Sequence, residues 1–264
     1  MKTKFNLLVS LLLVAVLGLA GCNVTPTEEL PSATPTDVNL GWEECSIPND
    51  SKINGVDISQ IETCFNLSLP LLTDEEKSNF GIKQIDGLNT EPYTYKLIIG
   101  NDLYETKMIE FSVSNMEYKY ALYKNGDITQ NYSGAVSLFA PMSLQNIGGK
   151  AVWEVSEFTE HQKGTATIFY DGVDIQKLYG LDKAHHPYGI NNKLIFIGEK
   201  DNKYFIVYDG KKVGPDFDKV RLTFVSEPAP HWSVQFGNGT YLFWGFKNEQ
   251  WSIIKIAPLQ NSGG

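Results

Sequence analysis

The chain has 264 residues, a formal net charge of −9 and 42% hydrophobic residues. An acidic balance of that size opposes binding to nucleic acid or to an anionic lipid face, both of which demand a basic patch. It suits a soluble exported domain, and the length allows one sizeable core.

Met1–Gly21 reads as a targeting segment, with Lys2 and Lys4 ahead of the apolar run Phe5–Ala20. That run is shorter than the roughly 20 apolar residues a spanning helix needs. Leu19-Ala20-Gly21-Cys22 then resembles the bacterial lipobox, in which the cysteine becomes the lipidated first residue of the mature protein. The resemblance implies that Cys22 carries acyl chains, more than the two signals stable attachment requires. It places the rest in the cell envelope, outside the cytoplasm. Cys22–Gly41 is rich in Thr, Pro, Ser and acids. Such a stretch buries too little apolar surface to offset its ordering entropy, which predicts an extended, disordered tether.

Trp42–Gly81 predicts a small non-repeating segment. With Cys22 assigned to the anchor, Cys45 and Cys64 remain, 19 residues apart. An even pair in an exported chain predicts a disulfide, contributing about 3 kcal/mol in the chain-entropy model. Two cysteines with no histidine spacing nearby do not make a metal site, and no cofactor is expected. Thr73 followed by Asp-Glu-Glu-Lys, with Glu76 at the capping-box position, predicts a helix start that Gly81 ends.

From Ile82 to Pro258, short runs rich in Ile, Val, Phe and Tyr alternate with Asn/Asp/Gly turns, the pattern of strands. Expected strands include Lys107–Val113, Lys119–Tyr123, Val136–Leu144, Gln176–Tyr179, Leu194–Ile197, Tyr204–Tyr208, Tyr241–Phe246 and Trp251–Ile256. Residues 259–264 form a polar tail. The runs repeat. Gly148–Val155 matches Asn191–Gly198 at an offset of 43, and Thr167–Gly172 matches Phe205–Gly210 at 38. Asn191–Phe196 and Lys203–Val207 both recur 47 residues on, at Asn238–Phe243 and Gln250–Ile254. Further back, Lys107–Phe111 sits 43 before Lys150–Glu154, and Ala121–Tyr123 sits 47 before Ile168–Tyr170. A period of this length with about four short strands is the size of a β-propeller blade. The expectation is an all-β, β-propeller-like domain over 82–258, with about four antiparallel blades, or five if Trp42–Leu72 supplies one. A strand at Ile82–Leu88 is the candidate to close the last unit. The alternative is a β-sandwich or meander with similar strand spacing.

Pro230-His231-Trp232-Ser233, then Gly237-Asn238-Gly239 and Tyr241-Leu242-Phe243, resembles the repeat of the TolB-type (WD40-like) β-propellers of bacterial envelopes. Val234-Gln235 stands where that repeat has Pro-Asp, and the earlier copies carry Tyr-Asp-Gly instead. The resemblance spans Thr106–Ile256 and implies a fold, not a function.

His185-His186-Pro187-Tyr188 is the most unusual polar cluster, and His231 stands 45 residues after His186 at the equivalent place in the next repeat. His185, His186 and His231 are therefore the candidate channel or ligand site, against ordinary packed or loop histidines. Adjacent histidines on a strand point opposite ways, which opposes one shared ion. Trp232, Trp244, Trp251 and Tyr241 could stack on sugars, or form blade core. Asp171-Gly172 and Asp209-Gly210 fit hairpin turns. No G-x-S-x-G, Walker A, H-E-x-x-H or G-x-G-x-x-G motif occurs, so no catalytic residue is assigned. The expected function is binding or scaffolding, with an envelope protein or glycan as partner. The alternatives are a hydrolase of glycans or peptides and a carbohydrate-binding module.

Overall fold

The computed structural model of the chain describes residues 30–46, 58–68, 71–84, 94–112, 117–135, 143–156, 166–222 and 234–259, and antiparallel hairpins dominate them. Cys22, His231 and Trp232 lie outside these residues. At the N-terminus come β1 (Ser32–Ala33), β2 (Leu40–Ser46) and the helices α1 (Ile58–Phe65) and α2 (Asp74–Lys77). Four sheets follow in chain order. Sheet I holds β3 (Ile82–Gln84), β4 (Thr94–Ile99), β5 (Asp102–Ser112), β6 (Glu117–Lys124) and β7 (Asp127–Ala135). Sheet II holds β8 (Ser143–Ile147), β9 (Lys150–Ser156), β10 (Ala166–Tyr170) and β11 (Val173–Asp174), which leads into α3 (Ile175–Tyr179). Sheet III holds β12 (Lys183–Ile190), β13 (Lys193–Lys200), β14 (Lys203–Tyr208) and β15 (Lys211–Phe217), with β1 added in parallel. Sheet IV holds β16 (Lys219–Val220) and β17 (Gln235–Gly237), both on β18 (Thr240–Lys247), then β19 (Gln250–Pro258) and finally β2.

Turn chemistry explains why these hairpins form. Asp171-Gly172, Asp209-Gly210 and Asn191-Asn192 all have positive φ at both central residues. A two-residue turn of that kind matches the right-handed twist of the strands it joins, and Asn, Asp and Gly tolerate it best. The Asp-Gly pairs are turns, as expected.

Packing then orders the sheets. Trp153, Leu122 and Phe169 share a core between sheets I and II. Ile168, Phe196 and Val207 share one between II and III. Ile197, Tyr208 and Phe243 share one between III and IV. The far side of IV, with Leu242, Trp244 and Ile253, is covered by Phe65 of α1 and by Leu71. Among the described residues these clusters do not join IV back to I. The other face of sheet I carries the ion pairs Lys96–Glu105–Lys107.

The repeats can be tested by which way side chains face, because a slip of one residue would turn every one of them over. Ala151, Leu194 and Tyr241, at offsets of 43 and 47, each face the preceding sheet, while Val152, Ile195 and Leu242 face the other way. Phe169, Val207 and Ile254 likewise face back, and Ile168, Ile206 and Ile253 face forward. Sheets II, III and IV are thus in one register.

Sheet I departs from the sequence alignment. The turns Asn125-Gly126 and Asp171-Gly172 stand 46 apart, so Leu122, not Ala121, corresponds to Ile168. The start of β5 corresponds to that of β9 at an offset of 48, which places Asp102, not Lys107, opposite Lys150 in the alignment. A bulge between Met108 and Glu110 adds to the mismatch.

Other expectations are corrected too. Gln176–Tyr179 is helical, because the Asp174 side chain caps the Lys177 N–H and Gly180 ends the turn in the left-handed conformation. The strand that completes the last sheet is β2, paired along its length with β19. Ile82–Gln84 belongs to sheet I instead. The expected tether over Cys22–Gly41 is cut short: Ser32–Ala33 pairs with β15, and Leu40 is buried in the III–IV core. Thr73 and Glu76 form the reciprocal capping box read from the sequence, though α2 is a single turn.

Cys45 on β2 and Cys64 on α1 are bonded, with Cα atoms 6.1 Å apart. The bond pins α1 over Trp244 and its neighbours. Replacing both cysteines by alanine is expected to cost about 3 kcal/mol in denaturant unfolding. It should also red-shift the tryptophan emission as α1 lifts. A variant as stable as the parent would show that α1 holds without the bond.

Candidate functional site

The site is organised by β12, Lys-Ala-His-His-Pro-Tyr-Gly-Ile, an edge strand of sheet III among the described residues. It pairs with β13 on one side only, and that pairing slips between His185 and Tyr188. Pro187 offers no N–H to a ladder, which suits an edge or a bulge. His186 adopts φ +52. The bulge leaves backbone groups that need partners elsewhere.

Side chains from the flanking sheets supply them. The His186 N–H donates to Glu154 Oε1 at 2.8 Å, and the Tyr241 hydroxyl donates to the His186 carbonyl at 2.7 Å. Gln145 Nε2 donates to the Pro187 carbonyl at 2.9 Å. Sheet II therefore holds the bulge through Glu154 and Gln145, and sheet IV holds it through Tyr241. Ser143 Oγ donates to the second Glu154 oxygen at 3.1 Å.

Glu154 is 8% exposed within the otherwise apolar run Ala151–Val155. Burial raises its carboxyl to about 7, and the His186 N–H and Ser143 hydroxyl offset only part of that shift.

A second layer lies toward the hairpin turns. The Tyr188 hydroxyl donates to Glu76 Oε1 at 2.5 Å, and the Asn238 N–H donates to Glu76 Oε2 at 2.7 Å. The Thr73 N–H and hydroxyl donate to the same carboxylate, at 3.0 and 3.1 Å. Partial burial works to raise Glu76, but these donors outweigh it and hold the carboxyl at about 2. Phe80 stacks on Phe236, and the Gly81 N–H donates to the Leu144 carbonyl at 2.7 Å. The segment Leu71–Gly81 thus touches sheets IV, III and II in turn. Beside it lies a cavity of about 120 Å³, bounded by α2 and its following turn, the Gly148-Gly149 turn and the Asn191-Asn192 turn.

The two adjacent histidines diverge. His185 is 5% exposed and turns toward Glu199, with Nε2 to Oε2 3.9 Å and Lys183 Nζ 3.1 Å from the same oxygen. The two imidazoles lie 6.3 Å apart at a tilt. Desolvation depresses both, His186 to about 3. Among the described residues no group of three His, Cys, Asp or Glu converges as a metal site. His231 lies outside them. Trp244 and Tyr241 are core residues, so they offer no sugar-stacking platform. Trp251 packs against Phe246.

Sequence reasoning passed over Glu154, Gln145 and the wider role of Glu76. A glutamate inside Ala-Val-Trp-Glu-Val was the available signal, since an ionisable residue in a run buried on both faces needs partners. No protein-family model matches the chain, and a search of curated proteins returns no match.

Proposed function

We propose that the chain is a lipid-anchored envelope protein, held outside the cytoplasm by Cys22, whose β-propeller-like domain is a binding or scaffolding module. The observation that carries this is the common register of sheets II, III and IV, in which equivalent residues face equivalent neighbours. Sheets related in that way pack as successive blades. An N-terminal strand completing the last sheet is a familiar way of tying such an array. The TolB-type repeats it resembles use the same plan. The disulfide supports an oxidising compartment.

The polar groups around β12 favour binding over turnover. The Glu154 and Tyr241 side chains are bonded to the backbone of His186 in β12, and Glu76 is bonded to sheets III and IV.

Two measurements test this. Metabolic labelling with a palmitate analogue should mark the wild type, and Cys22→Ser should lose both the label and the membrane fraction. An unchanged distribution of that variant would remove the anchor. Capture from solubilised envelopes should recover a specific partner. A protein that captures nothing and turns over a glycan or peptide would reverse the module reading in favour of a hydrolase.

A further inference from the structure

The cavity beside Leu71–Gly81 has a composition that narrows its ligand. Among the described residues its lining holds no lysine, arginine or histidine, so an anion meets no counter-charge from them. Glu76 and Tyr188 are among its lining residues, each engaged by donors of the chain itself. Those bonds leave the Glu76 carboxylate little capacity to hold a cation. Four carboxamides also line it, Asn79, Gln145, Asn146 and Asn192, of which Gln145 already donates to the Pro187 carbonyl. Asn146 Oδ1 accepts the Gly149 N–H at 3.0 Å, so its side chain is fixed at the rim of the turn. Phe80, whose ring stacks on Phe236, also lines it.

Carboxamides both donate and accept, which matches hydroxyl groups, and an aromatic residue matches the C–H face of a sugar. The cavity is comparable to the about 150 Å³ that takes up a six-membered ring, and it is open on one side, so a ring can sit in it with its substituents toward solvent. We infer that this cleft binds a neutral, hydroxyl-rich ligand about the size of one sugar ring, held by carboxamides instead of charge. The inference rests on the binding-module reading and names its ligand class. The turns make the site rigid: Gly148, at φ +61, lies so close to the Asn192 carbonyl that a side chain would collide with it.

The test is saturation-transfer NMR on the full chain in a non-glycosidic detergent. The probes are glucose, N-acetylglucosamine, glucuronate and calcium chloride. The neutral sugars should bind. Asn79→Ala and Asn192→Gly should each weaken that binding at least tenfold with an unchanged melting temperature. Glycine suits position 192, where φ is +59.

Absence of transfer from every neutral sugar at about 10 mM, or binding unaltered in both variants, overturns the inference. Glucuronate binding as tightly as glucose, or calcium displacing the sugars, does so too. Envelope partner capture without sugar binding defeats this inference alone. Sugar binding without capture defeats the protein-partner reading alone.

Discussion

Glu154→Gln is expected to stabilise the protein at pH 8 by about 3 kcal/mol relative to its effect at pH 4.5. Burial holds the native carboxyl at about 7, against an ordinary value near 4.5. The native state therefore keeps a proton that the unfolded chain releases between those values. Stability from this group is fully present below about pH 4.5 and falls as pH rises to about 7. At 1.36 kcal/mol per unit, the loss is about 3 kcal/mol. Glutamine keeps the shape, lets its oxygen accept the His186 N–H and never ionises.

The wild type alone would conceal this. His185 and His186 are both depressed by burial, so their native forms resist protonation that the unfolded chain accepts below about pH 6.5. Their contribution is present above that pH and is lost as pH falls, opposite in sign to that of Glu154 across much of the same window. The difference between Glu154→Gln and the wild type isolates the carboxyl. Denaturant unfolding of both proteins from pH 4.5 to 8 should show that difference growing with pH. A constant difference would mean that Glu154 ionises at its ordinary value.

How much of this was legible in the sequence depended on how local the cause is. The hairpins were, because an Asp-Gly or Asn-Gly pair carries its own φ preference. The copies in sheets II to IV were, because their equivalent strands keep one register. Sheet I was misaligned because the bulge at Met108–Glu110 and a long β5 shift its pattern. Asp174 and Gly180 marked the ends of α3, but its Ile-Gln-Lys-Leu-Tyr run also resembles a strand. The pairing of β2 with β19 spans almost the whole chain, and nothing local announces it. The same holds for the site. Glu76 was readable as a cap for Thr73, three residues away, yet its bonds to Tyr188 and Asn238 reach 112 and 162 residues along the chain.

Those distant bonds make Glu76→Ala the most disruptive substitution expected in the second layer. One carboxylate accepts from Tyr188, Asn238 and Thr73, and so fixes α2 against sheets III and IV. Charge-assisted bonds contribute about 1.5–3 kcal/mol each, and partial exposure and solvent screening reduce the sum. A loss of about 2–4 kcal/mol at pH 7 follows. Glutamine should rescue little of it. Oε2 faces the Asn238 and Thr73 N–H groups, so glutamine must keep its oxygen there and turn its nitrogen to the Tyr188 hydroxyl, which loses its charged acceptor and already accepts the Gly239 N–H. Tyr188→Phe removes one of these bonds and should cost about 1 kcal/mol. With Glu76 held at about 2, the stability it contributes is present above about pH 4.5 and disappears as pH falls through 2. That window lies below the one in which Glu154 acts, so the two carboxylates can be separated by titration. Unfolding of the three variants at pH 7 checks the order Ala, Gln, then Phe in decreasing cost. A glutamine variant within 0.5 kcal/mol of wild type would show that Glu76 acts by its shape and not by its charge.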